Sequence, residues 1–148
     1  MGVGLLILFI IMAAIVWLAW PSPMRTTEEV SQSYFDFIVQ GDEASANGLT
    51  QLDAVCSAPD PYMSNEIAQQ TAVFTNTQTR NLTIETRPTN STGYPPEAET
   101  ADIRFEFQIE TNPLWLPAHL WIVTMPNAQN ESYRAICHLG GSSLFIPQ

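Results

Sequence analysis

Few side chains in this sequence are of types that do chemistry. Histidine occurs twice, at His119 and His138, and cysteine twice, at Cys56 and Cys137. With methionines at 24, 63 and 125 they raise the idea of a soft-metal site. Cys137 and His138 are adjacent, however, and adjacent residues on a strand point to opposite faces, so they are badly placed to share one ion. The spacing matches no zinc or copper pattern. Nor is there a Cys-x-x-Cys-His haem motif or a glycine-rich phosphate loop, so neither a metal nor a cofactor is expected. Acid–base catalysis would need an ionisable group sheltered from water. Asp102, Glu106 and Glu110 alternate with Phe105 and Phe107, and strand alternation sends them to the solvent side. Asp36 falls on the exposed side of a helix. Tyr34 is the best-placed inward polar group, although a buried tyrosine usually packs in a core with its hydroxyl satisfied. No nucleophile, base and orienting group come together, and no catalytic residue is expected.

The cysteines suit a structural role better. A lone pair in an exported domain is most simply one disulfide, Cys56 to Cys137. Closing a loop of roughly 80 residues stabilises by roughly 4 kcal/mol in the chain-entropy model. The alternative is two buried thiols in a cytoplasmic domain. Asn-x-Ser/Thr triplets at Asn81, Asn90 and Asn130 fit export but arise easily by chance in a chain so rich in Ser and Thr. One further segment stands out, Asn112-Pro-Leu-Trp-Leu-Pro117. Connections between strands are normally polar, so Leu114, Trp115 and Leu116 need a reason to be there. Either Leu114 or Trp115 folds back to plug the open end of the domain, or the segment meets another subunit or the lipid boundary.

The elements that must position these residues follow from periodicity. Thr26-Thr-Glu-Glu29 has the form of a capping box. Val30, Tyr34, Phe37 and Ile38 then recur at helical spacing, and Gly41 is the natural stop. A short helix is expected from Asp42 toward Leu52, and a third from Asp60-Pro61 that carries Tyr62, Ile67 and Phe74. From residue 79 the period becomes two. Leu82, Ile84 and Thr86 mark one strand, and Ala101, Ile103, Phe105, Phe107 and Ile109 a clearer one. A proline-rich connection joins them. Strands over about 118–125 and 132–139 complete an antiparallel meander. Helices first and strands after make an α+β domain.

Ahead of this domain, Gly2 to Trp20 carries no charge and no strongly polar side chain. As a helix it spans roughly 28 Å, close to a bilayer core. Trp17 and Trp20 suit the membrane–water boundary, and Pro21 and Pro23 end the run. The rival, a cleaved signal peptide, fits less well because there is no basic n-region and no small-x-small site before Pro21. The sequence thus predicts a transmembrane anchor over 1–20, a short stiff stalk over 21–25, and one extracytoplasmic α+β domain over 26–148. The expected placement is single-pass in the cell membrane, with the N-terminus cytoplasmic. Five arginines, no lysine and fifteen carboxylates give a net charge of −10. That leaves no positive surface for nucleic acid or anionic headgroups.

The segment TTEEVSQSYFDFIVQGDEASANGLT over 26–50, a first helix ending in Gly-Asp and then an alanine-bearing short helix, resembles the nuclear-transport-factor-2-like superfamily. Ketosteroid isomerases and polyketide cyclases share that fold. The strands from 79 to 139 extend the likeness, which is greatest to membrane-anchored, extracytoplasmic members. The resemblance implies helices packed in a curved, cone-shaped antiparallel sheet, with a cavity between helix and sheet. Tyr34, Phe105, Phe107 and Trp121 are the residues expected to border that pocket. Relatives include enzymes, binding modules and assembly domains, so the fold does not supply the function.

The expectation drawn from these readings is a non-catalytic accessory subunit of a larger membrane protein complex, its domain bracing or capping the outer face. An electron-transfer complex is one host. Other membrane-protein subunits would be partners, as would the bilayer through residues 2–20, with Leu114, Trp115, Leu116, Trp17 and Trp20 as contacts. The alternatives are an extracytoplasmic module binding a lipid or apolar small molecule in its cavity and, behind it, an isomerase- or cyclase-type enzyme.

Overall fold

Thr26 opens the first helix as the capping-box pattern predicts. Its hydroxyl accepts from the Glu29 backbone N–H at 3.1 Å, and its own N–H donates to the Glu29 carboxylate at 3.0 Å. In the computed structural model, which describes residues 26–50, 62–90, 92–127 and 133–141, helix α1 runs over Thr27–Gln40. Gly41 ends it with φ 79°. A Cβ there would stand 3.0 Å from Thr75 Cγ2, so both backbone and space require glycine. Asp42 caps α2 (Glu43–Gly48) by accepting from the Ser45 N–H at 3.0 Å, and this bonding to Ser45 holds its carboxyl below the ordinary value. Helix α3 spans Met63–Phe74, with Tyr62 at its N-cap making no side-chain cap bond. The expected cap, Asp60-Pro61, lies outside the described residues, and Tyr62 is exposed rather than part of the buried face.

Four strands follow: β1 (Gln78–Pro88), β2 (Glu99–Gln108), β3 (Leu116–Pro126) and β4 (Arg134–Gly141). They pair in chain order, every neighbour antiparallel, as a simple meander. The helices cover one face. Val30, Tyr34, Phe35 and Ile38 of α1 and Ile67 and Phe74 of α3 are buried there. Ile103, Phe105 and Phe107 of β2 meet them, with Leu120 and Ile122 of β3. The aromatic rings interlock edge to face. Phe105 packs against Phe35 at 4.8 Å and Phe74 at 5.0 Å between centroids, and Phe74 against Phe107 at 5.2 Å. The helical half is also tied to the edge strand, where the Ile136 N–H donates to the Leu49 carbonyl at 2.9 Å.

A buried polar cluster fastens the start of α1 to the sheet. Thr27 is hydrogen-bonded to Glu99, and its Oγ1 lies 2.8 Å from Thr124 Oγ1. Arg134 Nε donates to the same threonine oxygen at 3.0 Å and pairs with Glu99 at 3.6 Å. Thr27 and Thr124 are buried, so their hydroxyls need such partners.

The expected fold class is corrected. Among the described residues the architecture is three helices on one face of a four-stranded antiparallel sheet, and the expected transmembrane helix is not among them. Among the described residues no helix is long and apolar enough to cross a membrane. The longest, α1, has 14 residues and carries Glu28 and Glu29 in its first turn. It rises about 21 Å, short of a bilayer core of about 30 Å. Residues 1–25, the expected anchor and stalk with Trp17 and Trp20, lie outside the described residues.

Candidate functional site on the outer face of the sheet

The four residues expected to border a pocket between helices and sheet divide. Phe105 and Phe107 lie in the aromatic core, so rings fill that space. Tyr34 is fully buried beside them. Its hydroxyl donates to Gln70 Oε1 at 2.8 Å, and Gln70 Nε2 donates to Glu66 at 3.1 Å. Burial, with the Glu66 charge nearby, pushes the phenol well above its ordinary value. It therefore has no ready proton to exchange at neutral pH. Trp121 corrects the expectation outright, because it points to the other face of the sheet. On β3 its alternates Leu120 and Ile122 face the helices, so Trp121 shares the outer face with His119 and Val123.

That outer face carries a second, smaller apolar cluster of Ala98, Val123, Met125 and Cys137, with Tyr94 and Trp121 against it. Ala98 and Tyr94 belong to the connection between β1 and β2. A β-bulge skips Cys137 in the β3–β4 register, between the Val123–His138 and Thr124–Ile136 pairs. Cys137 is buried and disulfide-bonded. Cys56, the other half of the expected pair, lies outside the described residues.

Beside this cluster opens a cavity of about 450 Å³. The Trp121 indole lies across Gly140 of β4. A Cβ on Gly140 would come within 2.6 Å of Trp121 Cζ2, so only glycine leaves room for the ring. His138 stands next to it, with ring centroids 5.0 Å apart. On the floor, Thr89 and Thr100 share a hydrogen bond of 2.8 Å. At one end Asp102, only 6% exposed, is held from two sides. His119 Nε2 lies 2.9 Å from Oδ1, and Arg87 Nη2 lies 3.0 Å from Oδ2. A carboxylate only accepts, so His119 carries its proton on Nε2. The partners come from flanking strands. Asp102 pairs with Glu85 and Trp121, while Arg87 pairs with Thr100 and His119 with Arg104, so both reach it diagonally.

No family model, curated protein or solved structure matches this chain. The site is therefore read from its own geometry. Among the described residues no three His, Cys, Asp or Glu side chains converge as metal ligands do. The Asp102–His119 pair resembles two parts of a nucleophilic triad, but the hydroxyls on the cavity floor, Thr89 and Thr100, are bonded to each other. A buried carboxylate beside aromatic rings is an arrangement suited to binding.

Asp102 was expected on the solvent side and is buried instead. Alternation does send it away from the helices, but the opposite face is covered too, by Trp121 and the hairpin connection. The legible signal was His119, Trp121 and Val123 at i, i+2 and i+4 on β3, a mixture unlike a wet strand face.

The apolar connection 112–117 also divides. Leu116 begins β3 and packs on the main core, whereas neither Leu114 nor Trp115, the residues expected to plug the domain, belongs to it. Trp115 sits under the Arg80 guanidinium, 4.1 Å from ring centroid to Cζ. Arg80 in turn donates to Glu106 at 2.7 Å, the main reason the Glu106 carboxyl lies below its ordinary value. Leu114 stays 64% exposed on a turn fastened by its N–H to Asn112 Oδ1 at 3.0 Å. Of the Asn-x-Ser/Thr triplets, Asn81 and Asn90 are exposed and Asn130 lies outside the described residues.

Proposed function

We propose that this chain is a non-catalytic accessory subunit of a larger membrane protein complex, with its α+β domain bracing or capping that complex by protein contact. The observation that carries the reading is the filled interior. Where an isomerase- or cyclase-type relative would need a reaction chamber, Phe35, Phe74, Phe105 and Phe107 interlock and Tyr34 is sealed against Gln70. This interior also weighs against the module that holds an apolar ligand between helix and sheet. The resemblance to the nuclear-transport-factor-2-like superfamily is part of the proposal, because its relatives include assembly domains.

The contact surface is the connection at Leu114, where a large apolar side chain on a fastened turn faces outward. Trp115, held under Arg80, makes a stiff shoulder for it. A partner that covers a large apolar side chain on an ordered turn gains the burial of that surface. The uncharged run from Gly2 to Trp20 supports including membrane subunits and the bilayer itself among the partners, with the domain on the extracytoplasmic side. A respiratory or photosynthetic electron-transfer complex is one such host.

The test is affinity purification of the tagged full chain from native membranes in mild detergent. Membrane subunits in fixed ratio are expected to accompany it, and Leu114→Asp should lower their recovery severalfold, because it places a charge in an apolar contact. A chain that always emerges alone would end the proposal.

A further inference from the structure

We propose that the cavity on the outer face of the sheet is a binding site for a small organic cation with a flat ring, of the arylamidinium class. Its volume of about 450 Å³ falls within the range of small-molecule sites. The chemistry of its walls selects the ligand. Asp102 contributes a carboxylate that is almost wholly buried, at the end of an aromatic-sided recess. Trp121 and Tyr94 line it, and aromatic rings attract cations through their quadrupoles. Gly140 exists under Trp121 to let the indole lie flat.

The site already holds a planar cation of its own. Arg87 Nη2 sits 3.0 Å from Asp102 Oδ2, while the arginine side chain is 66% exposed. Arg87 stands on β1, an edge strand, and its guanidinium can swing into water. A pair with one partner so exposed is weak, since water competes for it. An incoming amidinium would take over the Oδ2 contact, stack on the aromatic wall and leave His119 on Oδ1. Arg87 is then a resident competitor for the ligand's place.

Charge favours a cation over an anion. The chain's net charge is −10, and such a field concentrates cations and repels anions. Each arginine among the described residues is already committed to a carboxylate: Arg80 to Glu106, Arg87 to Asp102, Arg104 to Glu85 and Arg134 to Glu99.

The test is titration of the full-length protein with benzamidinium, with benzoate as the anionic counterpart. Binding is followed by calorimetry and by the indole N–H resonance of Trp121, identified with Trp121→Phe. Saturable benzamidinium binding is expected, with benzoate much weaker. Arg87→Ala should tighten benzamidinium about threefold by removing the competitor, as loss of a weak ion pair allows. Gly140→Ala, which drives the indole off the strand, should weaken it about tenfold, the scale of a lost cation–π and packing contact. Thermal melts accompany both variants. If Gly140→Ala melts as an unfolded chain, Trp121→Ala takes its place with the same expected loss. The proposal is overturned if benzamidinium does not saturate, if benzoate binds better, or if Arg87→Ala weakens benzamidinium rather than tightening it.

Discussion

The Tyr34 hydroxyl and the Gln70 amide satisfy each other inside the core, and neither has water to fall back on. Tyr34→Phe removes the donor and leaves the Gln70 oxygen facing apolar surroundings, at a cost of about 1–2 kcal/mol. Chemical denaturation should show that loss with the far-ultraviolet spectrum unchanged. The sign of the pH effect follows from the raised folded-state pKa. A phenol whose pKa is higher folded than unfolded contributes stability that is complete below the ordinary value of 10.0 and is lost as pH climbs above it. The wild-type protein should therefore weaken more steeply above about pH 10 than Tyr34→Phe does. Unfolding midpoints measured across that range check this, and parallel curves would contradict it. Tyr34 could be placed inward from sequence because it shares a helical stripe with Val30 and Ile38. Its partner could not, because Gln70 comes from another helix. Asp102 illustrates the same limit, since nothing in its strand's alternation reveals that Arg87, His119 and Trp121 would enclose it.

Among the elements, β2 was the most legible. Its alternation with polar neighbours sends Ala101, Ile103, Phe105 and Phe107 inward as read, while Asp102 is buried on the other face and Ile109, read as part of the same stripe, lies beyond the strand and is exposed. Phe105 meets Phe35, Phe74 and Phe107, so Phe105→Ala should cost about 3–5 kcal/mol, read as a lower unfolding midpoint. A cost below 1 kcal/mol would mean that the ring cluster is not the centre of the core. Strand β3 was harder. Leu120, Trp121, Ile122 and Val123 are all apolar, and a run buried on both faces carries no parity signal. This is how Trp121 could be assigned to the wrong side. Helix α1 was readable at both ends, because Thr26 with Glu29 and Gly41 are local devices. The start of α3 was not, because Tyr62 makes no side-chain cap bond.

For the molecule as a whole, composition and order of elements were enough for an α+β domain with an antiparallel meander. They did not foretell that part of the sheet's outer face would be covered as well. Covalent linkage acts at this scale too. Cys137 is disulfide-bonded, and Cys56 is the only other cysteine in the chain. An intramolecular bond between them would close a loop of roughly 80 residues and contribute about 4 kcal/mol. Non-reducing electrophoresis should show a single-chain species whose melting point falls on reduction. A disulfide-linked dimer, or a melt that reductant does not move, would refute the pairing. The fastening of Thr27 to Glu99 and Thr124 has a mechanical consequence. Both partners lie on the inner strands of the sheet, and Arg134 of β4 locks onto the same pair. Tension entering at Thr26 meets these bonds at the first residue of the helix, before the turns behind it can unwind. A domain tugged from that end is expected to hold until this cluster gives way.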